Sequence, residues 1–145
     1  MIRLTRRYHF AASHRLHNPS LSEPENRAVY GKCSHPFGHG HNYVLGVTVR
    51  GPIDERSGRV VDPRLLDQLV GEEVLRACDH KNLNVEVPEF AGGRLVPTSE
   101  CLAQVIQARL LARWAEFMRE GRPALERIQL EETGNNSFTL PVSGT

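Results

Sequence analysis

His39-Gly40-His41-Asn42-Tyr43-Val44-Leu45-Gly46-Val47-Thr48-Val49-Arg50 carries a fold signal and a chemical one together. From Asn42 to Arg50 the stretch is rich in Val, Tyr and Thr, side chains that suit a pleated, half-buried surface, and Gly51-Pro52 then breaks it; this predicts a strand. His39 and His41 stand at its entrance. Alternate residues of a strand share a face, about 6.5–7 Å apart along the chain. Two imidazoles so placed can converge on one zinc ion at Zn–N distances of about 2.0–2.1 Å, and Gly40 between them leaves room. The same pair also reads as two partly exposed histidines at a strand entry, because short H-x-H patterns recur by accident.

Working outward, Ile2 to Ala11 is β-rich enough to form a strand that delivers His14 at or just past its end. Asn18 to Lys32 mixes Pro, Ser, Glu and Asn without a period and reads as a loop. Ser57-Gly58 leads into a short Arg59 to Asp62 strand. Pro63 to Cys78 places Leu66, Leu69, Val70 and Val74 at helical spacing, with Pro63 acceptable in the first turn. Pro88 to Pro97 is another loop. Thr98 and Ser99 offer hydroxyl caps and Glu100 suits the positive helix end. Leu102, Ile106, Leu110, Trp114 and Phe117 follow at spacings of three and four, and Gly121 stops the helix. Leu125 to Thr133 and Ser137 to Leu140 are two strands joined by a turn at Gly134-Asn135-Asn136. The order ββααββ predicts an α+β fold, a four-stranded antiparallel sheet with two helices on one face. The other face then needs water or a second subunit.

The bulk numbers bound the possibilities. At 145 residues the chain fits one domain, 1–145, which buries roughly 68–70% of its unfolded surface. A hydrophobic fraction of 39% and a charged fraction of 24% are ordinary for a soluble globular protein. The net charge of +1 provides no basic field for a polyanion, which argues against nucleic-acid binding. No stretch approaches the roughly 18 apolar residues of a spanning helix, and Met1 to Phe10 has arginines but no apolar run, so neither a membrane nor an export signal is expected. Three cysteines, an odd number, read as free thiols in a reducing cytosol.

A third metal ligand must come from elsewhere: His9, His14, His17, His35 and His80 are available, with Cys33 as a soft option. Spacing alone does not choose among them. Three ligands leave a catalytic position open, whereas four close the site and make it structural. Cys33 is therefore pivotal, as ligand, reactive thiol or small residue in a turn. Cys78 and Cys101 fall within helical patterns. Asp79-His80 follows the first helix, where a histidine suits the helix C-terminus or pairs with the carboxylate as an acid–base unit. Of 18 basic residues only Lys32 and Lys81 are lysine, and each adjoins one of these reactive candidates. Glu131-Glu132-Thr133 closes the penultimate strand. Adjacent residues point to opposite faces, so one glutamate can meet solvent while the other accepts from a ring that bears an amino group beside an N–H. Two surface glutamates is the plainer reading.

These separated pieces together resemble the 6-pyruvoyl-tetrahydropterin synthase family over nearly the whole chain. The motifs are Phe10-Ala11-Ala12-Ser13-His14-Arg15-Leu16, Tyr30-Gly31-Lys32-Cys33, His39-Gly40-His41-Asn42-Tyr43, Asp79-His80-Lys81-Asn82-Leu83, Pro97-Thr98-Ser99-Glu100 and Glu132-Thr133-Gly134-Asn135-Asn136. The resemblance implies a cytoplasmic zinc-dependent carbon–oxygen lyase of tetrahydrobiopterin biosynthesis, acting on 7,8-dihydroneopterin triphosphate. It implies His14, His39 and His41 as zinc ligands, and Cys33 as general base supported by Asp79 and His80. It also implies Glu132 as the pterin anchor with Thr98 and Ser99 nearby. The implied architecture is the tunnelling fold, in which trimers close their sheets into a barrel and stack in pairs as a homohexamer. The chain departs from the family at Gly134, Cys101 and Ser99, none of which removes a ligand or the base. A close relative, 6-carboxy-tetrahydropterin synthase, takes the same substrate but typically has its cysteine four residues before H-x-H. Here Cys33 stands six before, which favours the pyruvoyl-forming branch.

Overall fold

The computed structural model of the protein describes residues 1–119 and 122–144. β1 (Ile2–His14), β2 (His39–Gly51), β3 (Lys81–Asn82), β4 (Ala124–Thr133) and β5 (Asn136–Pro141) form one sheet in the order β3-β1-β2-β4-β5. β1 and β2 pair antiparallel without interruption from Ile2↔Gly51 to His14↔His39. Their alternation sets that register: Phe10, Ala12 and His14 on one strand and Tyr43, Leu45, Val47 and Val49 on the other are all buried. A slip of one residue would turn every one of them to the opposite face.

The buried face is covered by two helical segments. α2 (Pro63–Val70) is capped by Asp62, whose side chain accepts from the Arg64 N–H, and presents Leu66, Leu69 and Val70 to the core. It runs on through a π-helical turn at Gly71–Leu75 into α3 (Arg76–Cys78). α5 (Ser99–Phe117) starts at Thr98, whose hydroxyl accepts from the Cys101 N–H, and buries Leu102, Ile106, Leu110 and Trp114. Burial of such side chains contributes about 1.5–3 kcal/mol each before entropy is counted. The opposite sheet face is polar, with Arg3 bound to Glu126 at 2.8 Å and Arg7 facing Glu131 at 3.6 Å.

Three expectations are corrected. The sheet has five strands and is mixed, because β3 pairs parallel to β1 through Ala12↔Lys81 and Ser13↔Asn82. The Asp79 carboxylate accepts the Ala11 N–H at 2.9 Å and the His80 N–H donates to the Ala11 carbonyl at 2.6 Å, which stitches the chain leaving α3 onto the edge of β1. Second, Asn18 to Lys32 is not all loop: α1 (Glu23–Tyr30) begins with a full capping box in which Ser22 and Glu25 satisfy each other's backbone N–H. Third, Arg59 to Asp62 is not a strand. Arg59 makes a single bridge to Asp54, around a turn in which the Asp54 carboxylate binds Ser57. Pro88 to Pro97 is loop apart from a 3₁₀ turn at Ala91–Gly93, and a short helix, α4 (Leu83–Glu86), follows β3. The expected stop at Gly121 lies outside the described residues; α5 itself ends at Phe117, where the Met118 N–H donates to the Trp114 carbonyl.

Candidate metal centre

Four elements end in one place. His14 is the last residue of β1, His39 the first of β2, Glu132 the next to last of β4, and Pro97 and Ser99 flank the N-cap of α5. The register sets His14 opposite His39 and the small Ala12 opposite His41, which leaves room for the three rings to meet on one face. Their centroids are 4.7–5.0 Å apart at steep angles. His14 Nε2 lies 3.2 Å from His39 Nε2. Glu132 Oε1 lies 3.0 Å from His41 Nε2 and 3.9 Å from His14 Nε2. One ligand atom from each of the four residues falls within 4.8 Å of every other.

The donor set fits a divalent transition metal. Two ligands at zinc distance in a tetrahedron stand about 3.3 Å apart, close to the His14–His39 spacing. His14 Nδ1 sits 2.8 Å from the Pro97 carbonyl, which can only accept; Nδ1 therefore carries the proton and Nε2 presents its lone pair to the cluster. Burial depresses the pKa of both His14 and His41, which favours the neutral, ligating form. His41 Nε2 is buried and makes no hydrogen bond in spite of the nearby carboxylate, an atom without a partner where a metal would supply one. The cluster's fourth member is Glu132, not Cys33.

Glu132 is held differently from the histidines. The β4–β5 pairing skips it, running from Glu131↔Ser137 to Thr133↔Asn136, so it occupies a β-bulge, a device that re-aims a side chain. Glu131 faces the other way and meets Arg7. Beside Glu132 lies a residue that the sequence reading passed over. Tyr43 continues the parity of His39 and His41 on β2 and is fully buried, its ring 5.6 Å from that of His41. Burial raises its pKa, the Glu132 charge adds to the rise, and the Ser99 hydroxyl opposes it. Gly38 is a second such residue. Its φ is +67°, and a Cβ there would lie 2.5 Å from the His14 carbonyl oxygen.

The remaining candidates are dispersed. Thr98 is occupied as the N-cap of α5, while Ser99 is buried inside the first turn. Cys33 lies half-buried in a 3₁₀ turn (Gly31–Ser34) and its carbonyl accepts the Leu16 N–H. Asp79 and His80 are tied to Ala11 instead, five residues back along β1 and its exit, which is on the order of 15 Å in extended chain. Asp79 Oδ1 is 3.1 Å from His80 Nδ1, and the Ala11 N–H, with His80 beside it, holds this carboxyl below its ordinary range. His80 adopts φ +58°, a backbone strain found at functional positions. It borders a cleft of about 530 Å³ with Lys81, Ser13 and Asn42, which touches the metal cluster only through His41. His9, His17 and His35 take no part in the cluster.

Residues 3–141 match the family model described as 6-pyruvoyl tetrahydropterin synthase. A 6-pyruvoyl tetrahydrobiopterin synthase of Poecilia reticulata is 48% identical over 135 residues, spanning 92% of this chain and 85% of its own. Its counterpart from Drosophila melanogaster is 42% identical over 147 residues, 97% and 82% of the two chains. The solved structure of Caenorhabditis elegans 6-pyruvoyl tetrahydropterin synthase shares the fold at a TM-score of 0.86, with 38% identity over 98% of this chain and 96% of that one. With the family model matched over nearly the whole chain, relatives above 40% identical and the fold shared, the chain belongs to the 6-pyruvoyl tetrahydropterin synthase family.

Proposed function

We propose that the protein converts 7,8-dihydroneopterin triphosphate to 6-pyruvoyl-tetrahydropterin with elimination of triphosphate, using zinc held by His14, His39 and His41. The observation that carries this reading is the convergence of three imidazoles and one bulged carboxylate at the end of the sheet. Bound there, zinc would supply Lewis-acid stabilisation of negative charge on the substrate's side-chain oxygens. Glu132 accepts from the amino group and adjacent N–H of the pterin ring, with Thr98 and Ser99 near it. The Cys33 thiolate removes a proton from a side-chain carbon. That electron pair moves into the ring, which takes up protons at its nitrogen and carbon and is reduced as the side-chain alcohol becomes a ketone. Loss of a second proton from the neighbouring side-chain carbon then breaks the carbon–oxygen bond to triphosphate, and the enol left behind becomes the second ketone. The oxidation and reduction balance within one molecule, so no external redox partner is required.

Asp79 and His80 complete this site from a second copy of the chain. The separate anchoring of Cys33 at Leu16 and of Asp79–His80 at Ala11 supports that arrangement, as does the polar, uncovered sheet face. The assembly is a trimer or a dimer of trimers, working in the cytoplasm; no helix among the described residues is long and apolar enough to cross a membrane.

The six-residue spacing from Cys33 to His39 supports the pyruvoyl product over the carboxy product. A second reading, a closed structural site with Glu132 as a permanent fourth ligand, is favoured by the 3.0 Å approach of Glu132 to His41. The test is mass spectrometry of the products formed by the zinc-loaded protein from 7,8-dihydroneopterin triphosphate. A pyruvoyl-tetrahydropterin with free triphosphate supports the proposal, and a carboxy-tetrahydropterin with acetaldehyde moves the protein to the other branch. Unchanged substrate, together with loss of zinc from Glu132→Gln, establishes the structural site.

A further inference from the structure

Tyr43 and Ser99 bury two hydroxyls that the fold does not use. Tyr43 is 0% exposed and Ser99 3%, yet among the described residues neither Tyr43 Oη nor Ser99 Oγ has a hydrogen-bond partner of good geometry, and each has the other's hydroxyl near it. Buried polar atoms without partners are rare, because removal from water is unfavourable and nothing offsets it. The packing role of Tyr43 needs only its ring, which stacks on Phe10 at 5.0 Å and 16°. A phenylalanine would serve there equally, so the oxygen needs another explanation.

The register supplies one. His39, His41 and Tyr43 share a face of β2; the β2–β4 ladder ends at Val44↔Glu131, each one residue from Tyr43 and Glu132, and the Glu132 charge acts on the Tyr43 phenol. Ser99, at the start of α5, flanks the phenol. The Glu132 carboxylate meanwhile leans on His41 and His14, without a hydroxyl or backbone N–H donor of its own. With Ser99 turned toward Tyr43 Oη, the phenolic O–H is left as a buried donor without an acceptor; it stands near a carboxylate without such a donor, and that carboxylate sits on a bulge.

We propose that Tyr43 is a positioning residue for Glu132, backed by Ser99. When the carboxylate turns from the histidines to a pterin, the Tyr43 hydroxyl donates to one of its oxygens and the Ser99 hydroxyl donates to Tyr43 Oη. The short relay sets the plane of the carboxylate so that its free lone pairs meet the amino and N–H edge of the ring. The inference rests on Glu132 as the pterin anchor.

Tyr43→Phe, Glu132→Ala and the double variant, compared with the unaltered full chain, separate the possibilities. The measurements are zinc content, the urea midpoint without ligand, and the dissociation constant for 7,8-dihydroneopterin. Tyr43→Phe keeps its zinc, and its midpoint stays level or rises because an unfulfilled hydroxyl has gone. It binds the pterin about 10-fold more weakly, the usual consequence of losing a hydrogen bond to a charged group. In the Glu132→Ala background the same change alters affinity by less than about 3-fold, since its partner is absent. A lowered midpoint, an unchanged affinity, or an equal loss in both backgrounds overturns the inference. If Glu132→Ala binds as tightly as the unaltered chain, the anchor assignment falls first and takes the relay with it.

Discussion

Gly38→Ala puts the link between fold and metal site to a quantitative test. Two penalties act at this position. The backbone sits at φ +67°, where a non-glycine residue costs on the order of 1 kcal/mol. The new Cβ would also lie 2.5 Å from the His14 carbonyl oxygen and 3.0 Å from its carbon, both backbone atoms that cannot rotate away. Restoring ordinary contact requires a shift of about 0.9 Å at the end of β1, in an interior that is close-packed. Metal sites tolerate ligand displacements of about 0.2 Å, so much of that shift reaches the cluster through His14. Zinc affinity should fall by about 10- to 100-fold, the range typical of disturbed supporting contacts, alongside roughly 1–3 kcal/mol of stability. Gly58→Ala is the control: its φ is +69° but nothing lies within 4 Å of the added methyl. Competition against a fluorescent chelator measures zinc affinity, and urea melts measure stability. If both variants lose stability alike and Gly38→Ala keeps native zinc affinity, the close approach does not position His14 and the reasoning fails.

Other expectations concern the chemistry and the support of the fold. Cys33→Ala retains zinc, because the cluster does not include it, and loses turnover; loss of zinc by elemental analysis would make Cys33 a ligand after all. Cys33→Ala and His80→Ala, each inactive alone, regain roughly a quarter of native activity when co-assembled in equal amounts, since a site built from two subunits finds both wild-type partners in that fraction; no recovery in the mixture would place both residues in one chain. Glu89 binds Arg109 through two contacts of 2.6 and 2.7 Å, which lower its pKa. A carboxylate lowered on folding stabilises above its unfolded pKa and loses that contribution as pH falls through its folded value. Glu89→Gln therefore lowers the urea midpoint at neutral pH and leaves it unchanged in strong acid, and a pH-independent difference would refute the pair's electrostatic role.

Legibility in the sequence followed the length of the pattern. β2 declared itself through Val, Thr and Tyr over nine residues, and α5 through five apolar positions at helical spacing, because both patterns run long enough for a period to show. β3 is two residues long and carries no period. Its pairing depends on Asp79 reaching Ala11, a contact between positions 68 apart. α1 was signalled only by its capping box, Ser22-Glu23-Pro24-Glu25, and its sole buried residue is Asn26, so no apolar stripe marked it. In the site, His39 and His41 followed from strand parity, and Tyr43 follows from the same parity carried one step further. His14 did not, since its meeting with His39 is a matter of register between strands separated by 24 residues. Nor did the choice of Glu132 over Glu131, which turns on a bulge in the β4–β5 ladder.

The contrast between His14 and Glu132 bears on whether the centre is open. A permanent ligand is normally fixed by a contact behind it. His14 has one, the Pro97 carbonyl at 2.8 Å, and is 1% exposed. Glu132 has a side chain 17% exposed, no hydrogen-bond donor behind it among the described residues and no partner on β5. His39 and His41 belong to a strand paired on both sides of its middle, whereas Glu132 stands next to the Gly134-Asn135 turn at the free end of β4. A carboxylate so held leaves the cluster more readily than any of the histidines. The preorganised set is thus three imidazoles, and three protein ligands are what a catalytic centre needs to keep a coordination position for substrate. On the proposed function, the same looseness that makes Glu132 a poor structural ligand suits it to meet a ring that arrives and departs with every turnover.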